Sequence, residues 1–281
     1  IKKNVSLLHL IMMSLQDWPI FHWALHIFGK TKNNFLKNYI PTTNILSSDL
    51  LDLNLNEKEL YLHFKNYLSK YNIISSIDKD ILLTYSKDWS NINGKADMVT
   101  IPTNIQECAI ILNACFKNNI PITISAGKTN LTGSATPDGG VVLSICKLVK
   151  PKIKLNTQLQ EVFTPAGIPL EELRKEILKL SNNKLYYPVD PTSRNDAYVG
   201  GTLACNASGF IPGKRGATRY WVNEIELLLP NGYLINAKRG EYISYNGIFE
   251  IDIDDKILIL PIPRYQRPQI KNASGPYSDP K

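Results

Sequence analysis

Two stretches of this chain gather the small and hydroxylated residues that let a backbone approach a ligand closely. The first is Ser125-Ala126-Gly127-Lys128-Thr129-Asn130-Leu131-Thr132-Gly133-Ser134. Residues without bulk allow successive amide N–H groups to turn inward as an anion-binding nest, and Ser, Thr and Asn add side-chain donors. A diphosphate is the guest that such a loop suits; the alternative, a tight surface turn, does not need so many small polar residues in one run. The second stretch runs Tyr186-Tyr187-Pro188-Val189-Asp190-Pro191-Thr192-Ser193 and resumes at Val199-Gly200-Gly201-Thr202-Leu203-Ala204-Cys205-Asn206-Ala207-Ser208-Gly209. Its prolines stiffen an entry segment, Gly200 and Gly201 permit close backbone passage, and Thr192, Asn206 and Ser208 offer hydrogen-bonding groups. The small-residue floor between them suits a flat, extended ligand.

Neither stretch is a common phosphate motif. Gly127-Lys128-Thr129 imitates the end of a P-loop, but G-x-x-x-x-G-K-[ST] requires glycine where the chain has Ile122. The dinucleotide fingerprint G-x-G-x-x-G after a first strand is absent as well, which disfavours a Rossmann fold. Glycine usage is lopsided in the same sense: of 16 glycines, only Gly29 and Gly94 precede Gly127.

The elements that must carry these loops can be read from periodicity. Leu60, Leu62, Phe64, Tyr67 and Leu68 suit a helix. A turn at Asn93-Gly94 leads into an extended run ending at Pro102, and Thr103 resembles an N-cap with Gln106 three residues on, before an apolar helix through residues 105–119. The segment at 120–126 reads as a strand feeding the first loop, and 139–148 as a buried strand following it. Residues 153–167 alternate like a hairpin, Pro169 stands where a helix can begin, and 170–180 is strongly amphipathic, ending near Ser181-Asn182-Asn183. Residues 221–237 are two strands joined by Pro230-Asn231-Gly232. Hairpins mixed with helices indicate α+β rather than a regular βαβ array.

Composition narrows the class. The 281 residues are 43% hydrophobic and 20% charged, a profile that disfavours disorder and repeat arrays. A net charge of +7 permits an anionic ligand, a nucleic acid or an acidic lipid surface. With Lys dominating over Arg and neither zinc spacing nor a concentrated basic helix, nucleic-acid binding is not expected. Cys108, Cys115, Cys146 and Cys205 form no C-x-x-C pair and read as buried reduced thiols rather than disulfides or metal ligands. Sequons occur at Asn4, Asn130, Asn206 and Asn272, two of them inside the loops, where a glycan would block a ligand; a reducing, cytoplasmic setting is preferred.

The chain starts with Ile, which suggests a missing or processed start. Residues 5–28 are apolar but interrupted by Gln16, Asp17, Pro19 and histidines, so an interfacial or protein-docked amphipathic helix is expected rather than a spanning one, with peripheral membrane contact as its consequence. His22 and His26 have the spacing of a metal pair but no nearby third ligand, and read as packed histidines; no metal is expected. Residues 30–56 are polar and aperiodic, so 1–56 is set apart as an N-terminal extension, a helix plus linker, from the domain at 57–281.

Several of these motifs stand in the order of a known family. DMVTIPTNIQECAIILNACFKNNIPITI, SAGKTNLTGSATPDGGVVLS, YYPVDPTS with VGGTLACNASG, and RGATRYWVNEIELLLPNG resemble successive segments of the FAD-binding domain of the vanillyl-alcohol oxidase and p-cresol methylhydroxylase (PCMH) superfamily. The similarity is to the FAD-linked oxidase branch that includes D-lactate dehydrogenases and glycolate oxidase subunits, and it runs from about Lys95 to Ala273, with echoes back to Asp88. It implies a PCMH-type domain of two α+β subdomains, incomplete at its C-terminus.

By that resemblance the loop of Ser125, Ala126, Gly127, Lys128, Thr129, Asn130 and Leu131, with Gly133 and Ser134, would hold the FAD diphosphate. Pro191, Thr192, Ser193, Gly200, Gly201, Asn206, Ala207, Ser208 and Gly209 would line the ribityl and flavin region, with Gly216 and Thr218 nearby. The chain departs from the family in having Lys128 for the third loop glycine and Ser125 for the preceding Arg; Lys128 could pair with phosphate as a point charge. The flavin-attachment histidine has no counterpart, so FAD is expected to be non-covalent. The implied activity is oxidation of a D-2-hydroxy acid such as D-lactate or glycolate by hydride transfer to flavin N5, with the electron acceptor unassigned. No histidine follows His63 and no catalytic base can be assigned; the substrate domain that carries it in the family is expected beyond Lys281. Another FAD enzyme of the fold, or a non-catalytic flavin-binding subunit, is the competing reading.

Overall fold

A computed structural model describes Val5–Leu8 and residues 57–232, 234–253 and 256–261. Its architecture is α+β and follows from two sheets. The first contains β2 (Ile74–Ser76), β3 (Met98–Ile101), β4 (Ile122–Ser125) and β5 (Val141–Ser144) in the order β2-β3-β5-β4. β5 is parallel to both β3 and β4, whereas β2 runs antiparallel to β3. The period-two alternation of side chains divides this sheet into two apolar faces. Met98, Ile122, Val141 and Leu143 join the large core with α1 (Glu57–Ser69) and α3 (Ile105–Lys117), while Val99 and Val142 meet Leu82 and Tyr85 at α2 (Lys79–Thr84).

Helix α3 is apolar on nearly all sides because it is enclosed. Ile105, Cys108, Ile111, Leu112 and Cys115 are buried, and Asn113 Nδ2 donates to the Asn231 carbonyl at 2.7 Å, tying the helix to the second sheet. The helix starts one residue later than the Thr103 cap expected from sequence. Asn104 Oδ1 accepts the Glu107 N–H at 2.9 Å, and the Glu107 carboxylate reaches back to the Thr103 N–H at 2.7 Å. The reciprocal pair is therefore Asn104 and Glu107, and Gln106 takes no part in it. Pro169 likewise sits at the cap of α4 (Leu170–Leu180) rather than at its first helical position.

The second sheet has the order β6-β7-β1-β8-β9. β6 (Lys154–Asn156) and β7 (Glu161–Pro165) form the expected hairpin, as do β8 (Val222–Leu228) and β9 (Leu234–Lys238). Between them lies β1 (Val5–Leu8), parallel to both β7 and β8. The helix expected across 5–28 is thus a strand at its first four residues; the remainder of that segment lies outside the described residues, as do His22 and His26. No helix among the described residues is long and apolar enough to cross a membrane. Helix α4 packs Leu170, Leu173 and Ile177 against Val162 of β7 and against Tyr187, Val189 and Val199. A last hairpin, β10 (Ile248–Ile253) with β11 (Lys256–Pro261), stands apart from both sheets in strand pairing.

Glu226 on β8 is the costly residue of this sheet. Burial, and then repulsion from Glu224, push its carboxyl from 4.5 up to about 7. The folded chain therefore binds a proton there more readily than the unfolded chain does, and stability should rise as pH falls through 7 toward 4.5. Glu226→Gln should raise the Tm at pH 8 and flatten that slope. Thermal melts at pH 6 and pH 8 check this, and an unchanged slope in the variant would remove Glu226 as its source.

Candidate functional site

The first small-residue loop leaves the C-terminal end of β4 at Ser125 and is held without using the amides of residues 127–131. Among the described residues, the N–H groups of Gly127 to Leu131 donate to no protein oxygen. What fixes the loop is its carbonyl and side-chain groups. The Trp89 N–H donates to the Lys128 carbonyl at 3.1 Å. Asn130 Oδ1 accepts the N–H groups of Thr132 and Ser134, both at 3.2 Å, and the Thr132 hydroxyl at 3.1 Å. The Asn130 side chain faces the Asp88 carboxyl and helps to keep it ionised. Asp88 is only 6% exposed, and it also accepts the Ser90 N–H at 2.9 Å and the Ala135 N–H at 3.2 Å. Burial alone would raise its pKa, but the bonds from Ser90 and Ala135 and the facing Asn130 side chain outweigh it and hold the carboxyl below the usual range.

Lys128 behaves differently from a phosphate-seeking lysine. Its φ is +56°, the left-handed region that a glycine occupies without strain and a side chain adopts at a cost of ~1–2 kcal/mol. Its Nζ turns toward α2, donates to the Thr84 carbonyl at 2.5 Å and lies 4.9 Å from the centre of the Tyr85 ring. Burial lowers the pKa of that ammonium. The Tyr85 hydroxyl continues the chain of contacts by donating to Ser144 Oγ at 3.3 Å, on the strand next to β4. The expected point charge for a bound phosphate is thus engaged elsewhere, and the loop offers neutral donors instead. Beside them the fully buried Ser125 hydroxyl has no partner among the described residues.

The second stretch is not loop throughout: Val199–Ala204 form a short helix, α5. Its two glycines face opposite ways. Gly200 is buried, its N–H donates to the Ala166 carbonyl at 2.8 Å, and a Cβ there would lie 2.8 Å from Ala166 Cβ and 3.1 Å from Ile145 Cδ1. Gly200 is therefore a core contact. Gly201 faces the first loop, where a Cβ would meet only Ala126 Cβ, at 3.0 Å. The two stretches touch again where Gly127 lies so close to Asp196 that a Cβ would overlap its carbonyl oxygen, and Ser134 faces the Cys205 side chain.

Beyond α5 the chain folds back as a ribbon. The buried Asn206 accepts the Arg219 N–H at 3.0 Å, and the Ala207 carbonyl accepts both the N–H and the hydroxyl of Thr218, at 3.0 and 2.7 Å. Ser208 bridges to Ala217, and the Gly209 N–H donates to the Gly216 carbonyl at 3.1 Å. A Cβ on Gly209 would strike the backbone of Asp190, so the ribbon is pressed against the proline-stiffened entry. That entry is held by charge: Asp190 pairs with Arg194 at 2.6 Å and with Arg174 at 3.5 Å, while Glu171 meets both arginines. Pro191 is buried and its carbonyl accepts the Arg194 N–H at 3.1 Å; Thr192 is exposed and Ser193 half-buried. Tyr187 lies beneath them, facing Thr202 and Thr218, and burial pushes its hydroxyl up to about 12, which keeps it protonated at neutral pH.

Residues 84–94 were missed in the sequence reading as part of the site. They run beside the first loop and hold it at Lys128, at Ala135 and, through Gly94 packed on Pro137, at its far end. The sequence signal is Asp88-Trp89-Ser90, where an Asp two residues before a small polar residue can accept that residue's amide. Among the described residues no group of His, Cys, Asp and Glu could hold a metal ion.

Comparison with known proteins places this geometry in context. A family described as FAD binding domain matches residues 96–238. D-lactate dehydrogenase of Anaerostipes hadrus is 32% identical over 163 residues, covering 57% of this chain and 33% of that protein. Glycolate oxidase subunit GlcD of Bacillus subtilis is 30% identical over 157 residues, 55% of this chain and 33% of the relative. A D-2-hydroxyglutarate–pyruvate transhydrogenase of Saccharomyces cerevisiae is 25% identical over 234 residues, 81% of this chain and 43% of the relative. The chain thus spans between a third and a half of the length of these relatives. Among solved structures, chitooligosaccharide oxidase superposes with a TM-score of 0.53 at 15% identity, covering 62% of this chain and 36% of that one. Alkyldihydroxyacetonephosphate synthase superposes at 0.51 and 17% identity, covering 73% and 36%. These structural likenesses show the fold.

The left-handed backbone at residue 128 can be tested directly. Lys128→Ala keeps the unfavourable φ and loses the Thr84 anchor, whereas Lys128→Gly loses the anchor but relieves the strain. The glycine variant should be the more stable of the two by about 1 kcal/mol in urea denaturation. An alanine variant at least as stable as the glycine variant would show that residue 128 is not held at positive φ.

Proposed function

The chain belongs to the FAD binding domain family, which matches just over half of it, and from that premise we propose that it holds FAD non-covalently between its two small-residue stretches in the oxidation of a D-2-hydroxy acid. The observation that carries the reading is the run of unpaired amides from Gly127 to Leu131 on a loop braced from elsewhere. The residues present fit such a group. Those amides and the unpartnered Ser125 hydroxyl supply donors for an anion, and Gly201 against Ala126 supplies a floor without side chains.

In this reading Ala126 to Asn130, with Gly133 and Ser134, hold the diphosphate. Pro191 to Ser193, Gly201 and the ribbon from Asn206 to Gly209 line the flavin region, with Gly216 and Thr218 fixing that ribbon from behind. Gly200 acts through packing, since it lies against Ala166 and Ile145. When bound, FAD supplies a two-electron acceptor for a hydride from the carbon bearing the substrate hydroxyl. The protein's part is to fix the loops that orient it. The buried, neutral Tyr187 and the Asp190 ion pairs keep the flavin-lining segment rigid. The substrate class follows from the relatives, which are named for D-lactate, glycolate and D-2-hydroxyglutarate.

Reconstitution of the chain with FAD should give a bound flavin band near ~450 nm. In a protein that joins this domain to a substrate domain, anaerobic addition of D-lactate, glycolate or D-2-hydroxyglutarate should bleach that band, and L-lactate should not. Failure to take up FAD would overturn the cofactor assignment. Uptake without bleaching by any of these acids would overturn the substrate assignment alone. A bulky Gly201→Val substitution should lower FAD uptake with the fold retained by circular dichroism, because its side chain would enter the gap against Ala126; unchanged uptake would count against the floor.

A further inference from the structure

Four charged side chains close a ring between α4 and the proline-stiffened entry. Arg194 Nη1 donates to Asp190 Oδ1 at 2.6 Å. Arg174 Nη1 lies 3.5 Å from the same oxygen and donates to the neighbouring Val189 carbonyl at 3.4 Å. On the other side of the ring, Arg174 Nε is 3.3 Å and Arg194 Nε 3.5 Å from Glu171 Oε2. The signs alternate, so the ring is neutral as a whole and every charge has an opposite one on both sides. Glu171 Oε2 is buried and accepts no hydrogen bond among the described residues, so charge is what draws both arginines to it. Backbone contacts run alongside: the Leu170 and Glu171 N–H groups at the start of α4 donate to the Ala197 and Arg194 carbonyls, at 2.8 and 3.2 Å. Inside the turn that the ring closes, the N–H and hydroxyl groups of Thr192 and Ser193 make no hydrogen bond among the described residues.

We propose that the ring of Glu171, Arg174, Asp190 and Arg194 is a positioning device that presets the Thr192 and Ser193 donors for the flavin of FAD. The four side chains act through the turn and do not touch the ligand. Asp190 and Arg194 close the turn end to end, and Glu171 and Arg174 tie it to a helix whose Leu170, Leu173 and Ile177 are fixed in the core. On its other flank the turn is stopped by the ribbon, because a Cβ on Gly209 would meet the Asp190 backbone at 2.3–2.5 Å. Held from both sides by groups outside residues 192 and 193, the turn keeps its own donors unpaired. An isolated ion pair on a surface holds little, but a closed set resists opening at any one contact. Removing either arginine leaves two carboxylates sharing one cation, and their repulsion acts to open the turn. This inference rests on the reading that residues 191–193 line the flavin.

The test is the visible spectrum of the complete chain saturated with FAD, recorded with FAD titrations and thermal melts of the same preparations. Arg174→Met and Arg194→Met keep the aliphatic stem and cut the ring on either side of Asp190. Each should weaken FAD binding about three- to fivefold, the range of a partly exposed ion pair. Each should also change the shape of the bound flavin band at saturation, because the turn against the flavin has moved. Arg174→Lys and Arg194→Lys keep the charge but reach one carboxylate instead of two, and should fall between methionine and wild type. Ile111→Val, in the core beneath the other sheet, should lower the Tm comparably and leave the band unchanged. A band change in only one methionine variant, in neither, or equally in Ile111→Val would overturn the proposal. If a methionine variant fails to fold, its lysine counterpart takes its place in that comparison. A wild-type chain that takes up no FAD would overturn the cofactor reading instead, so the two failures are distinct.

Discussion

A loop can present backbone N–H groups to an anion only if something other than those N–H groups holds it in shape. Buried amides without partners cost about 1–3 kcal/mol each, so a run of them persists where solvent or a ligand can reach it. Residues 126–130 are half-buried, which meets that condition. The remaining requirement is an external brace, and residues 84–94 provide it. They engage the loop through the Lys128 carbonyl, the Lys128 ammonium and the Ala135 amide, leaving the intervening donors free. The sheet beneath serves the same end, because parallel β4 and β5 fix where the loop leaves and where the chain returns.

The second stretch meets the first through small residues whose tasks differ although their sequence is uniform. Gly200 lets α5 settle on Ala166 and Ile145, Gly201 leaves open the surface toward Ala126, and Gly127 admits the Asp196 backbone. Substitution at the first or third of these would push apart elements that are otherwise in backbone contact. At Gly201 an added side chain would enter the gap between the stretches. One glycine pair thus divides between core and site because successive residues of a short helix point in different directions. The Asp190 ion pairs and the ribbon from Asn206 to Gly209 then hold the outer wall at a fixed distance from that helix.

Much of this was legible before any coordinates. The α+β class, the strand entering the first loop, the hairpins at β6-β7 and β8-β9, and the family itself all followed from alternation, turn residues and the order of motifs. The misses have physical causes. Helix α5 reads as loop because its two glycines and a threonine have poor helix propensity, and tertiary contacts at Gly200 overrule it. Helix α2 is six residues long and buries none of them fully, so it has no apolar stripe to detect. The brace at Asp88 left only the local Asp88-Trp89-Ser90 signal, because its partner Ala135 lies 47 residues away and a hydrogen bond at that separation leaves no periodic trace.

Lys128 shows why residue type alone misleads about electrostatics. A lysine in a small-residue loop of a chain with net charge +7 invites an ion-pair reading. Its backbone, however, occupies the left-handed region, and its ammonium rests on the Thr84 carbonyl and the Tyr85 ring. Moving it to a ligand would surrender both contacts and loosen the brace that shapes the loop. Hydrogen bonds from neutral donors to a charged group are worth about 1.5–3 kcal/mol each, so a few preset amides can replace one flexible cation. They also carry direction, which a point charge on a four-carbon stem does not. In the proposed reading the lysine serves the anion by staying away from it: its charge is spent on the frame, and recognition is left to the backbone that the frame holds open.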